Sequence, residues 1–98
     1  MIDITPTDRV LVMSLENTTE IRALARGQAL VGIGTGEQVR AARREFADLD
    51  NVIFAVGSRD EIPWRPHWFT LIVDTEAGAV TDAIRRALAE NGRIVTEV

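Results

Sequence analysis

The sequence predicts an α/β domain with three layers, in which a doubly wound parallel sheet of five strands carries helices on both faces. Short apolar runs alternate along the chain with segments of helical period. The runs are continuous rather than alternating in polarity, which is typical of strands covered on both faces. Helices are predicted in three of the four gaps between strands, as right-handed parallel crossovers require.

The size and charge of the chain limit what it can do. With 98 residues, 46% of them apolar, residues 1–98 are predicted to form a single domain. There are 11 basic and 15 acidic residues, and a net charge of -4 argues against a nucleic-acid partner. The N-terminus has neither a basic start nor a long apolar run, so we expect no signal peptide, no membrane span and a cytoplasmic location.

Five runs rich in valine, isoleucine, leucine and phenylalanine are predicted to be the strands. They are residues 9–13, 29–33, 52–56, 69–73 and 93–98. Residues 57–68, between the third and fourth strands, show no sustained helical period and carry both tryptophans and the only histidine. This connection is therefore predicted to be irregular.

Capping signals and apolar periodicity predict three helices. Residues 17–20 have the form of a capping box for a helix that ends near Arg26, with Gly27 as its C-cap. Residues 35–38 form a second capping box, and the third helix is predicted at residues 77–90. The apolar faces are Ile21, Leu24 and Ala25 in the first helix, Val39, Ala42, Phe46 and Ala47 in the second, and Val80, Ala83, Ile84, Ala87 and Leu88 in the third.

The carboxyl ends of the strands are where a doubly wound domain binds its ligands. Four segments should meet at that edge of the sheet. They are residues 14–17, 34–36, 57–59 and 74–76. Any chemistry of this chain is expected there.

Several segments follow one another in a characteristic order and spacing. They are a glycine turn before a helix, an apolar strand that ends in glycine, an Ile-Pro-Trp sequence, a further apolar strand, and a helix that leads through Asn-Gly into the last strand. Their residues are 31–33, 51–57, 62–64, 68–73, 86–88 and 91–95. In this order and spacing the chain resembles the class I S-adenosylmethionine-dependent methyltransferases over about three quarters of its length. The resemblance implies the strand order 3-2-1-4-5.

The resemblance also implies where a cofactor would bind. The family has a glycine-rich loop after strand one, which often opens with an acidic residue, an acidic residue after strand two that binds the ribose, and an aspartate after strand three that contacts adenine. The matching positions are Ser14 and Glu16 in the first loop, then Gly34 and Ser58. This first loop has no glycine, Gly34 offers no acceptor, and Thr70 stands where the family has an aspartate ahead of strand four. These positions are expected to be vestigial.

Each hydrogen bond left unmade in a polar site costs about 1 to 3 kcal/mol, so three losses weaken binding by at least about a hundredfold. The leading hypothesis is a shortened methyltransferase-like domain, ending after strand five, that has lost cofactor binding and catalysis and acts as an interaction or regulatory module. No catalytic residue and no cofactor are expected. If the chain is an enzyme, it is a weak or altered methyltransferase that uses S-adenosylmethionine.

The glycines of the strand-two turn offer an alternative. Gly32, Gly34 and Gly36 lie between a strand and a capped helix, as in a phosphate-binding loop, so the chain could be a small nucleotide-binding protein. Such a site needs an acidic residue after the next strand, where Ser58 stands and Asp60 follows. A turn whose glycines let the strand and the helix pack closely explains the same pattern.

Carboxylates are predicted at the ends of strands one and four, which lie side by side in this fold. Glu16, Asp74 and Glu76 could hold a divalent ion through oxygen. Negative charge near helix N-termini, favourable by about 0.3 to 1 kcal/mol each, explains them more simply. No metal is therefore expected.

The connection at residues 57–68 carries His67, which could act as a general base but lacks a serine or acidic partner nearby in the sequence. A loop histidine packed beside Trp64 or Trp68 is the preferred interpretation. The tryptophans are expected to cover the sheet at the rim of the pocket, or to mark a contact surface.

The last strand, residues 93–98, is predicted to be an open edge of the sheet. Its unpaired backbone groups can bind another chain. The hypothesis is a homodimer, or docking onto a partner protein, which replacement of Val95 by proline should disrupt.

Overall fold

The computed structural model describes residues 3–16, 18–74 and 78–96. These residues form one five-stranded sheet in the order β3-β2-β1-β4-β5, and every neighbouring pair of strands is parallel. The strands are β1 (Arg9–Val12), β2 (Ala29–Gly34), β3 (Val52–Val56), β4 (Phe69–Val73) and β5 (Leu88–Val95). The predicted fold class and strand order are confirmed.

The three helices lie on opposite faces of this sheet. They are α1 (Ile21–Leu24), α2 (Gly36–Glu45) and α3 (Asp82–Ala87). Side chains alternate along β1, so that Val10 and Val12 pack under α1 and α2, and Leu11 and Met13 pack on the face of α3. The domain is thus doubly wound, with a core on each face of the sheet.

Helix α2 forms as predicted because its capping box closes in both directions. The hydroxyl of Thr35 accepts a hydrogen bond from the amide of Gln38 (3.2 Å), and the Gln38 side chain accepts one from the amide of Thr35 (3.0 Å). Val39 and Ala42 are buried, as is Phe46 at the C-cap. The prediction that Ala47 is buried is wrong, since the helix ends at Glu45 and Ala47 is exposed.

Helix α1 is a single turn and begins later than the sequence predicts. Its N-cap, Glu20, has a helical backbone conformation and makes no capping hydrogen bond through its side chain. The amide of Ile21 instead donates to Thr18 O (3.2 Å), which closes a turn before the helix. Asn17, the predicted cap, lies outside the described residues. Gly27 is not the C-cap, which is Ala25.

Helix α3 is shorter than the predicted span, and residues 75–77 lie outside the described ranges. The hydroxyl of Thr81 accepts the amide of Ile84 (3.2 Å) and so sets the start of the helix, which leaves Val80 exposed rather than buried. The end is set by His67, which has a positive φ of 58° and whose amide donates to Arg86 O (2.7 Å).

The last strand begins earlier than predicted and is irregular. Leu88 pairs with Phe69, but the next pair is Leu71 with Arg93, so the chain bulges between them. A Cβ atom at Gly92 would lie 2.6 Å from Leu88 Cδ1 and 3.0 Å from Ala89 O, so the bulge brings the backbone at Gly92 close to these two residues. Residues 97 and 98 of the predicted strand lie outside the described residues.

A buried carboxylate joins strands at the amino-terminal edge of the sheet. Asp8, 6% exposed, accepts hydrogen bonds from the amide of Thr5 (2.9 Å) and the hydroxyl of Thr70 (2.8 Å), and Arg93 lies 3.8 Å away. Burial alone would raise the pKa of Asp8, but the two hydrogen bonds and the Arg93 charge together hold this pKa below its usual value. Asp8 is therefore ionised in the folded protein at neutral pH.

The two border strands of the sheet are β5 and β3, and the outer side of β3 is partly covered. The amide of Leu30 donates to Asn51 O, and the amide of Gly57 donates to Gly34 O. The backbone N–H and C=O groups of the odd-numbered residues of β3 therefore point toward β2, and those of the even-numbered residues point away from it. Arg43 of α2 donates to the outward carbonyl of Phe54 (3.0 Å). Ile53 and Val56 are 50% and 63% exposed on this strand.

No helix within the described ranges is long and apolar enough to cross a membrane.

Candidate functional site

A cavity of about 310 Å³ opens at the carboxyl ends of β1, β2 and β3, where the fold predicts a ligand site. Its volume lies at the lower limit of typical small-molecule pockets. The lining residues are Met13, Ser14, Glu16, Ile33, Gly34, Thr35, Gln38, Gly57, Ser58 and Arg59. The structure thus brings together all four positions that the sequence selects, Ser14, Glu16, Gly34 and Ser58. That they are vestigial as cofactor-binding positions stays a prediction.

Neighbouring side chains fill the space that a side chain at position 34 would need. A Cβ atom at Gly34 would lie 2.5 Å from Gln38 Oε1 and 3.1 Å from Leu15 Cβ. Gln38 cannot move away freely, because its Oε1 atom closes the capping box of α2. Position 34 therefore carries no acceptor for a ribose and has no room for an acidic side chain.

Leu15 occupies the loop after β1, where the similar family has glycines. Its side chain is only 4% exposed and belongs to the core under α1 and α2. A Cβ atom at Gly32 would lie 2.7 Å from Leu15 Cδ2 and 3.0 Å from Phe54 Cδ1. The glycines of β2 thus make room for protein side chains rather than for a ligand.

The polar groups around the cavity are largely used within the chain. Ser14 Oγ accepts the amide of Glu16 (3.2 Å), which orders the first loop, and the Glu16 side chain is exposed. Ser58 and Glu61 exchange two backbone hydrogen bonds of 3.0 and 3.1 Å. Gly57 permits this turn, because a Cβ atom there would lie 2.9 Å from Glu61 O.

An ion pair links the loop after β3 to the end of β4. Arg59 Nη2 lies 2.6 Å from Asp74 Oδ2, and Nη1 lies 3.1 Å from Oδ1, so the contact is bidentate. Asp74 is 2% exposed, and the Arg59 side chain, 24% exposed, also lines the cavity. Because β2 and β1 lie between these strands, the loop crosses roughly 14 Å of sheet at about 4.8 Å per strand.

Two of the three carboxylates considered as ion ligands lie within the described residues. Asp74 pairs with Arg59, Glu16 is exposed, and Glu76 lies outside the described residues. Within residues 3–16, 18–74 and 78–96, no group of three or more acidic, histidine or cysteine side chains could hold a metal ion.

The tryptophans do not lie at the rim of the cavity, contrary to the prediction. Trp68 precedes β4, at the amino-terminal edge of the sheet and away from the cavity. The guanidinium of Arg9 lies over the Trp68 ring, 5.3 Å from the ring centre. Trp64 packs against Trp68 and Phe69, with ring centres 5.4 and 6.1 Å apart. Both rings cover the core on the α3 face, as expected. His67 Nδ1 lies within hydrogen-bond distance (3.1 Å) of the carbonyl oxygen of Leu88, the C-cap residue of α3.

Sequence reasoning gave no role at this site to three side chains that shape it: Leu15, Gln38 and Arg59. The sequence predicted Gln38 only as part of the capping box at residues 35–38. For Arg59, the available signal was an arginine and an aspartate that follow two strands of one parallel sheet. The position of Leu15 gave a weaker signal, as the one apolar residue in a polar loop.

Comparison with known proteins gives a structural match. No family model matches the chain, and no curated protein matches it. The structure is similar to that of the YcgJ protein from Bacillus subtilis, a protein with a methyltransferase-like fold, with a TM-score of 0.72 and 20% sequence identity. The match covers 94% of this chain and 44% of YcgJ, so the chain spans less than half the length of that protein. The chain thus has a Rossmann-like α/β fold, and nearly the whole of this chain shares that fold with part of YcgJ.

Proposed function

We propose that this chain is a methyltransferase-like domain that has lost S-adenosylmethionine binding and catalysis and acts as an interaction or regulatory module. The observation that carries the proposal is the filled space at Gly34, where Gln38 and Leu15 approach a Cβ position to 2.5 and 3.1 Å. The similar family places at this point the carboxylate that holds the ribose. The residues present do not fit that cofactor.

The loop after β1 supports the same proposal. Leu15 of this loop is a buried side chain of the core, and its Cβ atom lies 3.1 Å from the position of a Cβ atom at Gly34. The loop thus lacks the glycines that would let the backbone pass close to a cofactor. The missing acceptors at Gly34 and Ser58 add their own losses.

The same contacts weigh against a nucleotide at the glycine turn. Gly32 and Gly34 are explained by the close approach of Leu15, Phe54 and Gln38, and no glycine in the described residues has a positive φ. The turn therefore has no left-handed glycine of the kind that forms an anion-binding nest.

The outer side of β5 is the proposed interaction surface. Within the described sheet β5 pairs only with β4, and its other side has no strand. The amide of Asp74 donates to Val95 O (2.8 Å), so Val95 directs its backbone groups toward β4. Proline at Val95 would therefore damage the sheet itself, and Thr96 is the better position for a test.

Titration with S-adenosylhomocysteine, followed by amide chemical shifts, tests the loss of cofactor binding. We expect no shifts at millimolar ligand. Shifts at residues 14–16 and 34–58 with micromolar affinity would contradict the proposal and indicate a methyltransferase. The same titration with ATP would reveal a nucleotide-binding protein instead.

Gly34→Ala is the matched control for both titrations. Its added methyl group would lie 2.5 Å from Gln38 Oε1, so it should displace the Gln38 side chain from the capping box and into the cavity. Shifts caused by binding at this site should disappear in the variant, whereas shifts caused by weak surface association should persist.

A further inference from the structure

A second cavity lies between the last turns of α2 and the border strand β3. Its volume is about 280 Å³, and it shares no lining residue with the cavity at the carboxyl ends of the strands. We call it the β3 groove, and it is lined by Arg43, Phe46, Ala47, Leu49, Val52, Ile53 and Phe54. The volume lies just below the range of about 300 to 1,000 Å³ for small-molecule pockets, so the groove suits one large side chain rather than a whole cofactor.

The apolar wall of the groove is preformed and open to solvent. Phe46 and Phe54 are buried, and their ring centres lie 5.9 Å apart, so the core holds this part of the wall in place. Ile53 is 50% exposed, and Val56 is exposed further along the same strand. A rigid apolar cavity beside exposed apolar side chains has the form of a pocket that takes one anchor side chain of a partner.

Arg43 adds a positive charge to this apolar wall. Its Nη2 atom donates to Phe54 O (3.0 Å), and that is the one hydrogen bond of its side chain within residues 3–16, 18–74 and 78–96. No carboxylate in those ranges forms an ion pair with it. The other N–H groups of the guanidinium can therefore bind a ligand, and their forked geometry favours a carboxylate.

The charges near Arg43 on the same helix are not balanced either. Arg40 and Arg44 form no ion pair in the described part of the chain. The acidic side chains that follow them are bound elsewhere, since Glu45 accepts a hydroxyl hydrogen bond (3.1 Å) and Asp48 pairs with an arginine of α1 (2.7 Å). Although the net charge of the chain is -4, α2 thus presents a group of arginines that attracts an acidic partner.

A partner at this border is recognised through side chains rather than by strand addition. The carbonyl of Phe54 points outward from the middle of β3, and Arg43 already binds it. A strand that paired with β3 would have to displace this arginine. An apolar side chain in the groove and a carboxylate on Arg43 require no such displacement.

We propose that the β3 groove is a docking site for a short acidic segment of another protein, which places one large apolar side chain in the groove and a carboxylate on Arg43. The apolar contact supplies affinity, and the ion pair decides which segments are accepted. The surface is separate from the outer side of β5 and from the cavity at Gly34. The inference therefore goes beyond the proposed function and does not depend on it.

Selection from a displayed library of random short peptides, on the purified chain, tests the site. The selected peptides should combine aspartate or glutamate with a large apolar residue, and a synthetic copy of one should shift the amide signals of residues 43–54. Arg43→Gln should weaken its binding by about tenfold or more, and high salt should weaken it too. Arg65→Gln removes the same charge from an exposed position outside the groove and should leave binding unchanged.

A second pair of variants tests the apolar anchor. Ile53→Ser should weaken binding by about fivefold or more while the native amide spectrum persists, because the side chain is half exposed. Val80→Ser is the matched control, since Val80 is 43% exposed but lies outside the groove, and it should bind like wild type. Thr96→Pro should also bind like wild type, which separates this site from the border at β5.

Three results would overturn the proposal. They are the absence of any selected peptide, selected peptides without acidic residues, and binding that survives both Arg43→Gln and Ile53→Ser. Shifts of residues 43–54 that appear on raising the concentration of the chain alone would place a second copy of the chain in the groove, and would contradict an acidic segment of another protein as its occupant. None of these results bears on the titration with S-adenosylhomocysteine.

Discussion

Asp8 illustrates how one residue stabilises the sheet at its amino-terminal edge. The carboxylate precedes β1 and is bound by the Thr70 hydroxyl of β4, near Arg93 of β5, and the Asp8 carbonyl accepts the amide of Gln28 (2.8 Å) just before β2. Four strands thus meet at a single residue. Because folding lowers the pKa of Asp8, ionisation of this group favours the folded state.

Asp8→Asn should lower the free energy of unfolding by about 1 to 3 kcal/mol at pH 7. Since the pKa of Asp8 is lower in the folded than in the unfolded state, the stabilisation is complete above the usual carboxyl pKa of about 3.9 and is lost as the pH falls through the folded pKa. The difference between wild type and variant should therefore shrink below about pH 4. Urea unfolding at pH 7 and pH 3 measures it.

Asp60→Asn is the control, because Asp60 is an exposed carboxylate on the same chain. It should leave the stability nearly unchanged at both pH values. Equal effects of the two substitutions at pH 7 would show that the hydrogen bonds and the ion pair of Asp8 do not raise the free energy of unfolding.

The positions of the site residues could be predicted, but the contacts that decide their use could not. Gly34 and Ser58 follow from the rule that ligands bind at the carboxyl ends of strands. The contacts that Leu15 and Gln38 make over Gly34 depend on how α2 and the first loop pack on the sheet. Arg59 meets a residue fifteen positions away across two strands, which no local pattern encodes.

At the scale of elements, α2 is the helix whose start is fixed by local sequence alone. Its N-terminal residues form both halves of a capping box. The strands were predicted well for a similar reason, since continuous apolar runs indicate burial on both faces. Helices α1 and α3 were predicted too long. For α3 the reason is that its two ends contact distant residues, since Thr81 donates to Arg59 O and the amide of His67 donates to Arg86 O.

Thr35→Ala should lower the free energy of unfolding by about 1 kcal/mol, because the amide of Gln38 loses its acceptor at the start of α2. For a chain of this size, the thermal midpoint should fall by about 4 to 8 °C. Thr35→Ser keeps the hydroxyl and should behave like wild type. Equal losses in the two variants would indicate that the methyl group of Thr35, and not its capping bond, is responsible.

At the scale of the whole molecule, the parallel sheet has two borders, β3 and β5, and they differ in protection. Arg43 binds a carbonyl on the outer side of β3, whereas the side-chain contact described for the backbone of β5 is that of His67 with Leu88 O, at the very start of the strand. The proposed contact with a second copy of the chain, or with another protein, is therefore assigned to β5.

Thr96→Pro tests this contact. Within residues 69–74 and 88–96, the last bond of the β4–β5 ladder ends at Val95, and Thr96 is exposed, so proline at position 96 should leave the thermal midpoint unchanged. If β5 pairs with a second copy, wild type should have a dimeric mass in light scattering, and the variant should dissociate at least about tenfold more readily. Thr96→Ala should remain dimeric. A wild-type monomer at high concentration would contradict the dimer.

The hydrogen bond from Arg43 to Phe54 has a consequence for solubility. Residues 52–56 are an uncharged apolar run of high strand propensity, the kind of segment that seeds fibrils when its edge is free. The guanidinium of Arg43 binds the outward carbonyl of Phe54 and places a charge at the edge of a strand that exposes Ile53 and Val56. We therefore expect α2 to hinder pairing of β3 with another chain, and to do so only as long as the helix stays folded against that strand.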